Sequence, residues 1–473
     1  MPDTYQHGVY IEEVATALVP LTRVSSPVVA IGSAVKGPLN TPTLVQSYSD
    51  FVNTFGEFED FANFTLEEVA YCFFNLFNVG PLVVINVLDR SKHVKDSTKT
   101  LTGVANPLTI TAPIIADTVA ITTGTNVTLV KDTDYKLSRD KEVMTITVTT
   151  TGQGKVVNDS ITVAYQELSA SKITNADVIG GVDDDGNETG IEAVENVYPR
   201  LGLVPGTLIA PYFSGKAEVA QALAAKARNI NGVFKSLALC DIDTSTIKKY
   251  DDCYTAKTSN NLVDAYLGVC WPKVGLGDRT YFLSTQIAAL MCLVDSTHGD
   301  IPFESPSNKT LRMDRACLRN GSEVYLSKAK ANTLNGQGII TALNFAGAWR
   351  AWGSRTSIYP TSSDPKDAWI PCRRMMSWLG NTLATSFFYK IDSPLNLRLV
   401  QTVLDSAQVF LNGLVARGAL LGGKIQFLEE ENSVTDLADG KIKFHLSVCP
   451  PAPARVIEFV LEYDTTLYQS LFS

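Results

Sequence analysis

Histidine and paired cysteines are scarce in this chain of 473 residues, and their scarcity argues against a metal site. The four histidines, at positions 7, 93, 298 and 445, form neither an HExxH motif nor another metal-ligand spacing. The eight cysteines include no CxxC pair, and most lie in apolar runs such as SLALCDID. We therefore predict buried free thiols in a reducing compartment, with no metal and no other cofactor.

Targeting and membrane-spanning segments are also missing. The N-terminus, MPDTYQHGVYIEE, has no basic region followed by an apolar run, so no signal peptide is predicted. No uncharged apolar stretch reaches the roughly 18 residues that a membrane-spanning helix needs. We expect a soluble protein that is made in the cytoplasm and does not insert into a membrane.

Basic residues are fewer than acidic residues, with 40 Lys and Arg against 49 Asp and Glu, so the formal net charge is −9. Such a balance argues against a protein that wraps nucleic acid or binds an anionic membrane. Apolar residues make up 45% of the chain and charged residues 19%, which is typical of globular proteins. A chain of this length has room for two or three domains.

The first part of the chain alternates strands and helices. PVVAIGSAV (27–35) predicts a buried strand, and LVVINVL (82–88) predicts a strand buried on both faces. Between them, Thr65 followed three positions later by Glu68 forms a capping-box pattern that predicts the start of a helix. This order indicates an α/β, or mixed α+β, core.

From about residue 91 to 170 the pattern changes to short strands rich in Thr and Val. NVTLV, EVMTITVT and SITVAYQ show no helical periodicity, which predicts an inserted all-β, sandwich-like domain. The predicted organisation is an N-terminal arm strand at 1–20, a discontinuous α/β core at 21–90 and 180–430, the inserted domain at 91–179, and C-terminal strands with an extended arm at 431–473.

Both chain ends have the period-two pattern of β-strands with one buried side. The residues concerned are Val9, Tyr10 and Ile11 in HGVYIEEV, and Ile457, Phe459, Leu461 and Tyr463 in PARVIEFVLEYDTT. Chain ends are rarely ordered unless something holds them. The pattern therefore raises the question of which strands these two ends pair with.

Three further elements precede the C-terminal strand. A helix is predicted from Pro394, capped by Ser393, through Leu411. Alternation then predicts a strand over 441–448, with Ile442, Phe444, Leu446 and Val448 on one face. The linker PPAPA is too rich in proline for a tight hairpin, so it should hold this strand and the terminal strand apart.

Two stretches resemble ligand-binding loops but fail in their details. GALLGGKI (418–425) has the spacing of a phosphate-binding loop, but Ile425 replaces the Ser or Thr that holds Mg²⁺, and the helix precedes the glycines. A glycine C-cap explains the same residues. GGVDDDGNETGIE (180–192) resembles a calcium loop, but Gly181 stands where the first aspartate should be. We interpret it as an acidic turn that closes the inserted domain.

Tryptophan and arginine are interleaved in GAWRAWGSRT (347–356) and CRRMMSW (372–378). This combination can stack on nucleic-acid bases, and it also suits protein–protein contacts. Because the whole chain is acidic, we favour protein contacts. The candidate contact residues are Trp349, Arg350, Trp352, Arg373, Arg374 and Trp378. No pattern in the sequence supplies a catalytic constellation.

Several long stretches resemble the contractile tail sheath proteins of myophage-type bacteriophages and related contractile injection systems. They are HGVYIEEV, TGIEAVENVYPRLGLVPGTLIAP (189–211), GAWRAWGSRTSIYP with DPKDAWIPCRRMMSWLGNTL (347–383), and the stretch 411–464. The β-rich insertion resembles the variable outer domain of that family, although the likeness is weakest there.

The resemblance implies a structural protein and no enzyme. In the family, both terminal arms reach into neighbouring subunits and add strands to a sheet there. The resemblance therefore implies that the two arm strands are donated and that Ile442, Phe444, Leu446 and Val448 belong to the receiving sheet. Strand addition of this kind would also fill strand edges that are otherwise prone to aggregation.

The implied function is a subunit that polymerises helically around a tail tube and contracts from a metastable extended state to drive the tube through a target cell envelope. The implied partners are further copies of the chain, a tail tube protein, a baseplate and a tail terminator, with no nucleic acid. The implied location is the virion tail or an injection particle, assembled in the host cytoplasm. The helix at 394–418 is our candidate for the tube contact.

Two alternatives remain open at this point. One is an α/β enzyme with an unrecognised catalytic site. The other is a cell-surface adhesin or layer protein, which the Thr- and Val-rich insertion suggests. The missing signal peptide argues against the second alternative.

Overall fold

The computed structural model describes residues 26–101, 107–124, 126–141, 143–148 and 160–472. The strands within these ranges are β1 (Val28–Gly32), β2 (Thr43–Val45), β3 (Leu82–Asn86), β4 (Val94–Leu101), β5 (Leu108–Thr111), β6 (Ala120–Thr123), β7 (Thr128–Leu129), β8 (Tyr135–Asp140), β9 (Val143–Val148), β10 (Ile161–Leu168), β11 (Thr207–Ile209), β12 (Leu237–Asp241), β13 (Leu267–Cys270), β14 (Lys273–Leu276), β15 (Arg279–Tyr281), β16 (Arg315–Cys317), β17 (Ile339–Phe345), β18 (Ala348–Trp352), β19 (Gly422–Gln426) and β20 (His445–Cys449).

Helices connect these strands and cover the sheets that they form. They are α1 (Tyr48–Phe55), α2 (Thr65–Tyr71), α3 (Asn175–Ile179), α4 (Val197–Leu201), α5 (Ala217–Arg228), α6 (Cys253–Ser259), α7 (Leu283–Thr297), α8 (Lys328–Gly336), α9 (Pro365–Ala368), α10 (Ile370–Phe387), α11 (Leu397–Ala416) and α12 (Val434–Ala438). A π-helical turn at Cys72–Phe77 continues α2.

Eight strands form one large sheet in the order β18-β17-β13-β12-β11-β1-β3-β2. Its six central strands run parallel, and the edge strands β2 and β18 run antiparallel to their neighbours. Every residue of β1, β3 and β12 is buried, as a sheet covered on both faces requires. The strands predicted over 27–35 and 82–88 are confirmed, with shorter bounds.

Alternate side chains of β1 pack into two separate hydrophobic clusters, one on each face of the sheet. Val29 and Ile31 pack in a cluster that includes Leu223 of α5. Val28 and Ala30 pack in a second cluster, which includes α7 and its Leu290. Period-two alternation along the strand thus places one helical layer on each face of the sheet.

The predicted helix beginning at Thr65 is present as α2, but the capping box is not. The Thr65 hydroxyl accepts a hydrogen bond from the Ser33 main-chain N–H (3.3 Å), and Glu68 accepts one from the Phe282 N–H (2.6 Å). Both side chains are fully buried, and no side-chain cap bonds the start of α2. The predicted capping box was wrong because the Thr65 hydroxyl and the Glu68 carboxylate accept hydrogen bonds from the main chain of Ser33 and Phe282, which are distant in sequence.

Residues 94–168 contribute to two sheets that are separate from the large one, in the orders β4-β10-β6-β7 and β5-β9-β8. A hydrophobic cluster of their own fills the space between them, with Ile121, Ile146 and Val163 fully buried. The Lys141 ammonium reaches the Glu59 carboxylate of the body at 2.5 Å. The architecture is therefore mixed α/β with several sheets, as predicted.

The C-terminal part contains α10, α11 and the two-stranded antiparallel sheet β19-β20. The helix predicted from Pro394 begins instead at Leu397, because Asn396 supplies the N-cap and accepts from the Leu399 N–H at 3.0 Å. The strand predicted over 441–448 is β20, which starts later, at His445.

Candidate assembly surface

The β19-β20 sheet presents one face to the body and the other to solvent. Phe444, Leu446 and Val448 are half-buried and pack on a hydrophobic cluster that contains Leu411 and Leu414 of α11. His445 and Ser447, between them, are exposed. The predicted alternation is confirmed for Leu446 and Val448, whose apolar face is already covered by the chain's own helices. Ile442 and Phe444, predicted for the same strand, precede β20.

One edge of this small sheet is closed by a side chain. The Gln408 amide of α11 donates to the Gly423 C=O (3.1 Å) and accepts from the Ile425 N–H (3.2 Å), two main-chain groups of β19. These groups therefore point away from β20. In an antiparallel pair of strands, a residue whose N–H and C=O point away from the partner strand faces a residue whose N–H and C=O also point away from the pair.

The other edge of the sheet is open. Gly423 and Ile425 stand opposite Val448 and Leu446 in the register, so the N–H and C=O groups of Val448 and Leu446 point away from β19. Among the described residues, these groups make no further hydrogen bond. An open edge of this kind is a template for pairing with another strand.

The segment that follows β20 leaves the body of the protein. From Ala452 to Tyr463 the main chain makes no hydrogen bond with any part of the chain that the structure describes. The thiol of Cys372 contacts the Pro451 carbonyl at 3.8 Å where the segment departs. Phe459 is 85% exposed and Leu461 is 95% exposed. Ile457 and Tyr463, on the same predicted face, are also exposed.

The strand predicted over 455–463 is not a strand in the single chain. A β-strand needs a hydrogen-bonded neighbour, and none of the described segments supplies one. The apolar face that the alternation predicted is therefore left in solvent. The matching N-terminal residues Val9, Tyr10 and Ile11 lie outside the described residues.

Three of the six candidate contact residues lie on β18, at one end of the large sheet. Trp349 donates its indole N–H to the Asp314 carbonyl (2.9 Å), Arg350 contacts the Asn308 carbonyl (2.9 Å), and Trp352 contacts the Asn332 amide (3.0 Å). Their side chains are half-buried. They remain candidates for a protein contact.

The other three candidates are buried and do not form a surface. Arg374 makes a two-point ion pair with Asp295, and Arg373 bonds Asp367 at 3.0 Å. Both arginines are 8% exposed and Trp378 is 3% exposed. The prediction was wrong for Arg373, Arg374 and Trp378 because α10 turns this side toward the body, where each arginine finds an internal carboxylate.

The two loop-like motifs have structural roles. Gly418, with a φ of +76°, follows the last residues of α11 and ends the helix as expected, whereas Gly422 and Gly423 belong to β19. Asp183 accepts hydrogen bonds from the main-chain N–H groups of Asp185 and Asn187 within its own turn. The described ranges contain no group of three or more side chains suited to a metal ion.

At the position where an open α/β sheet usually binds a ligand, two polar side chains are engaged by the chain itself. The strand order reverses between β1 and β11, and ligands bind at the carboxyl ends of strands at such a point. There the Ser33 hydroxyl donates to the Asn63 carbonyl (2.6 Å) and is fully buried. At the end of the adjoining β3, Asn86 accepts from the Ala34 N–H at 3.0 Å.

The turn between α10 and α11 is an apolar surface that the sequence analysis missed. Its exposed side chains are Phe388, Tyr389, Ile391, Leu395 and Leu397. The signal in the sequence was a run of aromatic and aliphatic residues without helical or strand periodicity. Within the described residues, α11 is the one helix long and apolar enough to cross a membrane, and a third of its most apolar window is buried in the protein.

The architecture described above is that of the contractile sheath proteins. The chain superposes on a subunit of the PVC sheath complex, an extracellular contractile injection system in its contracted state, with a TM-score of 0.59. That superposition covers 99% of this chain and all of the other, at 14% sequence identity. The central sheet with additional β-rich sheets is thus a known sheath fold.

Sequence comparison leads more specifically to tail sheath proteins. The chain is 28% identical to the tail sheath protein of Burkholderia phage BcepMu, over 99% of both chains. It is 27% identical to a putative prophage major tail sheath protein of Pseudomonas aeruginosa, over 60% of this chain and 72% of the other. No family model matches the chain. The predicted resemblance to contractile tail sheath proteins is confirmed, and it indicates a contractile tail sheath subunit.

Proposed function

We propose that this chain is the repeating subunit of a contractile tail sheath and that residues 455–463 are donated as a strand to the β20 edge of a neighbouring copy. The observation that supports this most is a pair of complementary features. Within the described residues, the chain carries an unpaired apolar segment and an unpaired strand edge at Leu446 and Val448.

The energy available to this contact is substantial. Burying a large apolar side chain contributes about 1.5–3 kcal/mol, so the row Ile457, Phe459, Leu461 and Tyr463 could contribute about 6–12 kcal/mol before the entropic cost of association. Main-chain hydrogen bonds to the β20 edge would add to this, and the alternating side chains would set the register.

The linker between the two strands favours a neighbour over the chain itself. Pro450, Pro451 and Pro453 restrict the backbone and remove N–H groups, so a tight hairpin back onto β20 is disfavoured. A segment given to the next copy makes a head-to-tail contact. Such contacts extend into open helical polymers when the rotation does not close.

The remaining parts of the proposal follow the family likeness. The N-terminal arm with Val9, Tyr10 and Ile11 would be donated in the same way, and the arms would keep subunits joined while the bodies move during contraction. Residues 91–179 would form the outer domain on the core of 21–90 and 180–430. A metastable extended sheath that contracts through new contacts between bodies requires no cofactor and no catalysis.

The proposed partners are other copies of the chain, a tail tube, a baseplate and a tail terminator, within a virion tail or injection particle. The apolar turn between α10 and α11, at residues 388–397, extends our candidate tube contact beyond the helix alone. We do not propose an enzyme, because the named relatives are tail sheath proteins.

The test is electron microscopy of the purified full-length chain beside a variant with Phe459→Ser and Leu461→Ser. The unchanged chain should form hollow helical tubes, and the variant should remain as discrete particles with an unchanged melting temperature, because both side chains are exposed in the single chain. The matched control, Glu458→Gln with Glu462→Gln, alters the opposite face and should still form tubes. Tubes from the serine variant would contradict the proposal.

A further inference from the structure

The side chain of Gln408 takes the place of a third strand beside β19. Its amide nitrogen donates to the Gly423 carbonyl, and its amide oxygen accepts from the Ile425 N–H. In a parallel pair of strands, a residue of one strand faces one residue of the other. It forms hydrogen bonds with the C=O of the residue before that one and with the N–H of the residue after it. Gln408 therefore engages the two groups that a parallel strand would engage opposite Lys424.

Two observations indicate that this arrangement is held in place. The Gln408 amide also donates to the Asn412 side chain at 2.9 Å, one turn further along α11, which fixes the orientation of the amide. The helix itself is anchored by Ala407 and Leu411, both fully buried beside Gln408. The amide thus reaches the strand edge from a rigid element.

The two edges of the sheet therefore differ in the unassembled subunit. The β19 edge is occupied in its middle, whereas the outward groups of Leu446 and Val448 on β20 have no partner among the described residues. An incoming strand would have to displace Gln408 at the first edge, whereas no described residue bonds the outward main-chain groups at the second.

We propose that Gln408 is an edge cap that directs the first incoming strand to β20 and excludes it from β19. The inference rests on the proposed function, since it assumes that a strand of another copy is added here. A capped edge limits each free subunit to one point of strand addition. Uncapped edges on both sides would allow strands to add in the wrong register or on the wrong side.

The experiment compares Gln408→Leu with Gln401→Leu in the full-length chain that carries Phe459→Ser and Leu461→Ser, so that the donated segment does not compete. Gln401 is exposed, lies two turns earlier on the same side of α11 and makes no hydrogen bond through its side chain, so it is the matched control. The probe is a synthetic peptide of residues 453–465. Amide hydrogen exchange at Ile425 and the stoichiometry of peptide binding by calorimetry are measured.

We expect Gln408→Leu to speed exchange at Ile425 by about tenfold, the effect of losing one hydrogen bond, and to raise binding from one peptide per chain to two. Gln401→Leu should change neither. Gln408→Ala, which removes both the donor to Gly423 and the acceptor for Ile425, is a second variant in case the leucine impairs folding. It should also bind two peptides.

Three results would overturn the inference. Equal exchange at Ile425 in the leucine and control variants would show that the amide does not protect this edge. Faster exchange with only one peptide bound would show that the cap does not decide where strands add. Absence of peptide binding in every variant would reject strand addition itself, and in that case the failure lies in the proposed function.

Discussion

Two buried carboxylates hold the beginning of α7, and sequence spacing gave no sign of either contact. Glu68 accepts from the Phe282 N–H at 2.6 Å, and Asp241 accepts from the Ser284 N–H at 3.0 Å. The first N–H groups of a helix have no acceptor within the helix, and its positive end favours a negative charge. Lys273 is the buried cation of the same cluster, with its ammonium 3.7 Å from the Phe282 ring centre.

Burial changes the titration of these groups. It raises the pKa of Glu68 to about 7 and that of Asp241 to about 6, although Lys273 and the hydrogen bonds act in the opposite direction. Burial likewise lowers the pKa of Lys273, against the attraction of the two carboxylates. The folded protein therefore holds a proton on Glu68 at a pH where the unfolded chain has lost it.

We predict that Glu68→Gln removes a pH-dependent part of the stability. A carboxyl whose pKa rises from 4.5 to about 7 on folding contributes stability that is fully present below 4.5 and is lost as the pH rises to 7. The unfolding free energy of the unchanged chain, relative to Glu68→Gln, should fall by about 3 kcal/mol between pH 5 and pH 8. Urea unfolding at both pH values measures this difference.

The control for this prediction is Glu458→Gln, because Glu458 is exposed on the C-terminal segment. That variant should show the same pH dependence as the unchanged chain. Parallel pH profiles for Glu68→Gln and the unchanged chain would contradict the prediction.

A second prediction at this scale concerns the ion pair between Arg374 and Asp295. Arg374→Met should lower the unfolding free energy by about 1–3 kcal/mol, because it leaves the half-buried Asp295 carboxylate without its partner. Chemical denaturation measures the loss. Arg398→Met, at an exposed arginine of α11, is the control and should cost less than about 0.5 kcal/mol. A similar small loss in both variants would mean that the pair does not matter for stability.

At the scale of elements, the C-terminal strand is predictable and its partner is not. The alternation of Ile457, Phe459 and Leu461 is visible in the sequence, but no described segment of the chain pairs with them. Similarly, α11 begins at Leu397 and not at the predicted Pro394. The reason is that Asn396 serves as the N-cap in place of the predicted Ser393. Patterns thus predict an element more reliably than its ends or its contacts.

The open edge of β20 leads to a prediction at the same scale. Val448→Pro removes an N–H that points outward, so the β19-β20 pair should persist while strand addition is blocked. Val448→Ala keeps the N–H and shortens the side chain, so it is the control for a change of side chain alone. Electron microscopy and sedimentation should show tubes for the alanine variant and discrete particles for the proline variant. Tubes from both would show that this edge is not used.

At the scale of the whole molecule, the β-rich region joins the body through two adjacent strand ends. Val94, at the start of β4, pairs with Leu168, at the end of β10. The region also has a hydrophobic cluster separate from those of the large sheet. Both features are expected of an insertion that leaves the surrounding fold unchanged.

We therefore predict that residues 96–166 can be replaced by a short Gly-Ser linker without unfolding the body. The excised chain should unfold in one cooperative transition by circular dichroism and should still form tubes, because the proposed arm contacts lie elsewhere. The ion pair of Lys141 with Glu59 would be lost, but exposed pairs of this kind contribute at most about 1 kcal/mol. Loss of the cooperative transition would show that body and insertion fold as one unit.

The sequence by itself determined the mixed α/β class, the position of the β-rich region and the likeness to sheath proteins, and it predicts the apolar alternation over 457–463. These depend on periodicity and on long ordered strings of residues, which are local properties of the chain. Only the tertiary structure decided that Arg373, Arg374 and Trp378 are internal, that Glu68 serves α7, and that one edge of the β19-β20 sheet is closed by Gln408 while the other is open. The physical reason is that burial and pairing depend on which distant elements meet, and no local pattern of side chains specifies that meeting.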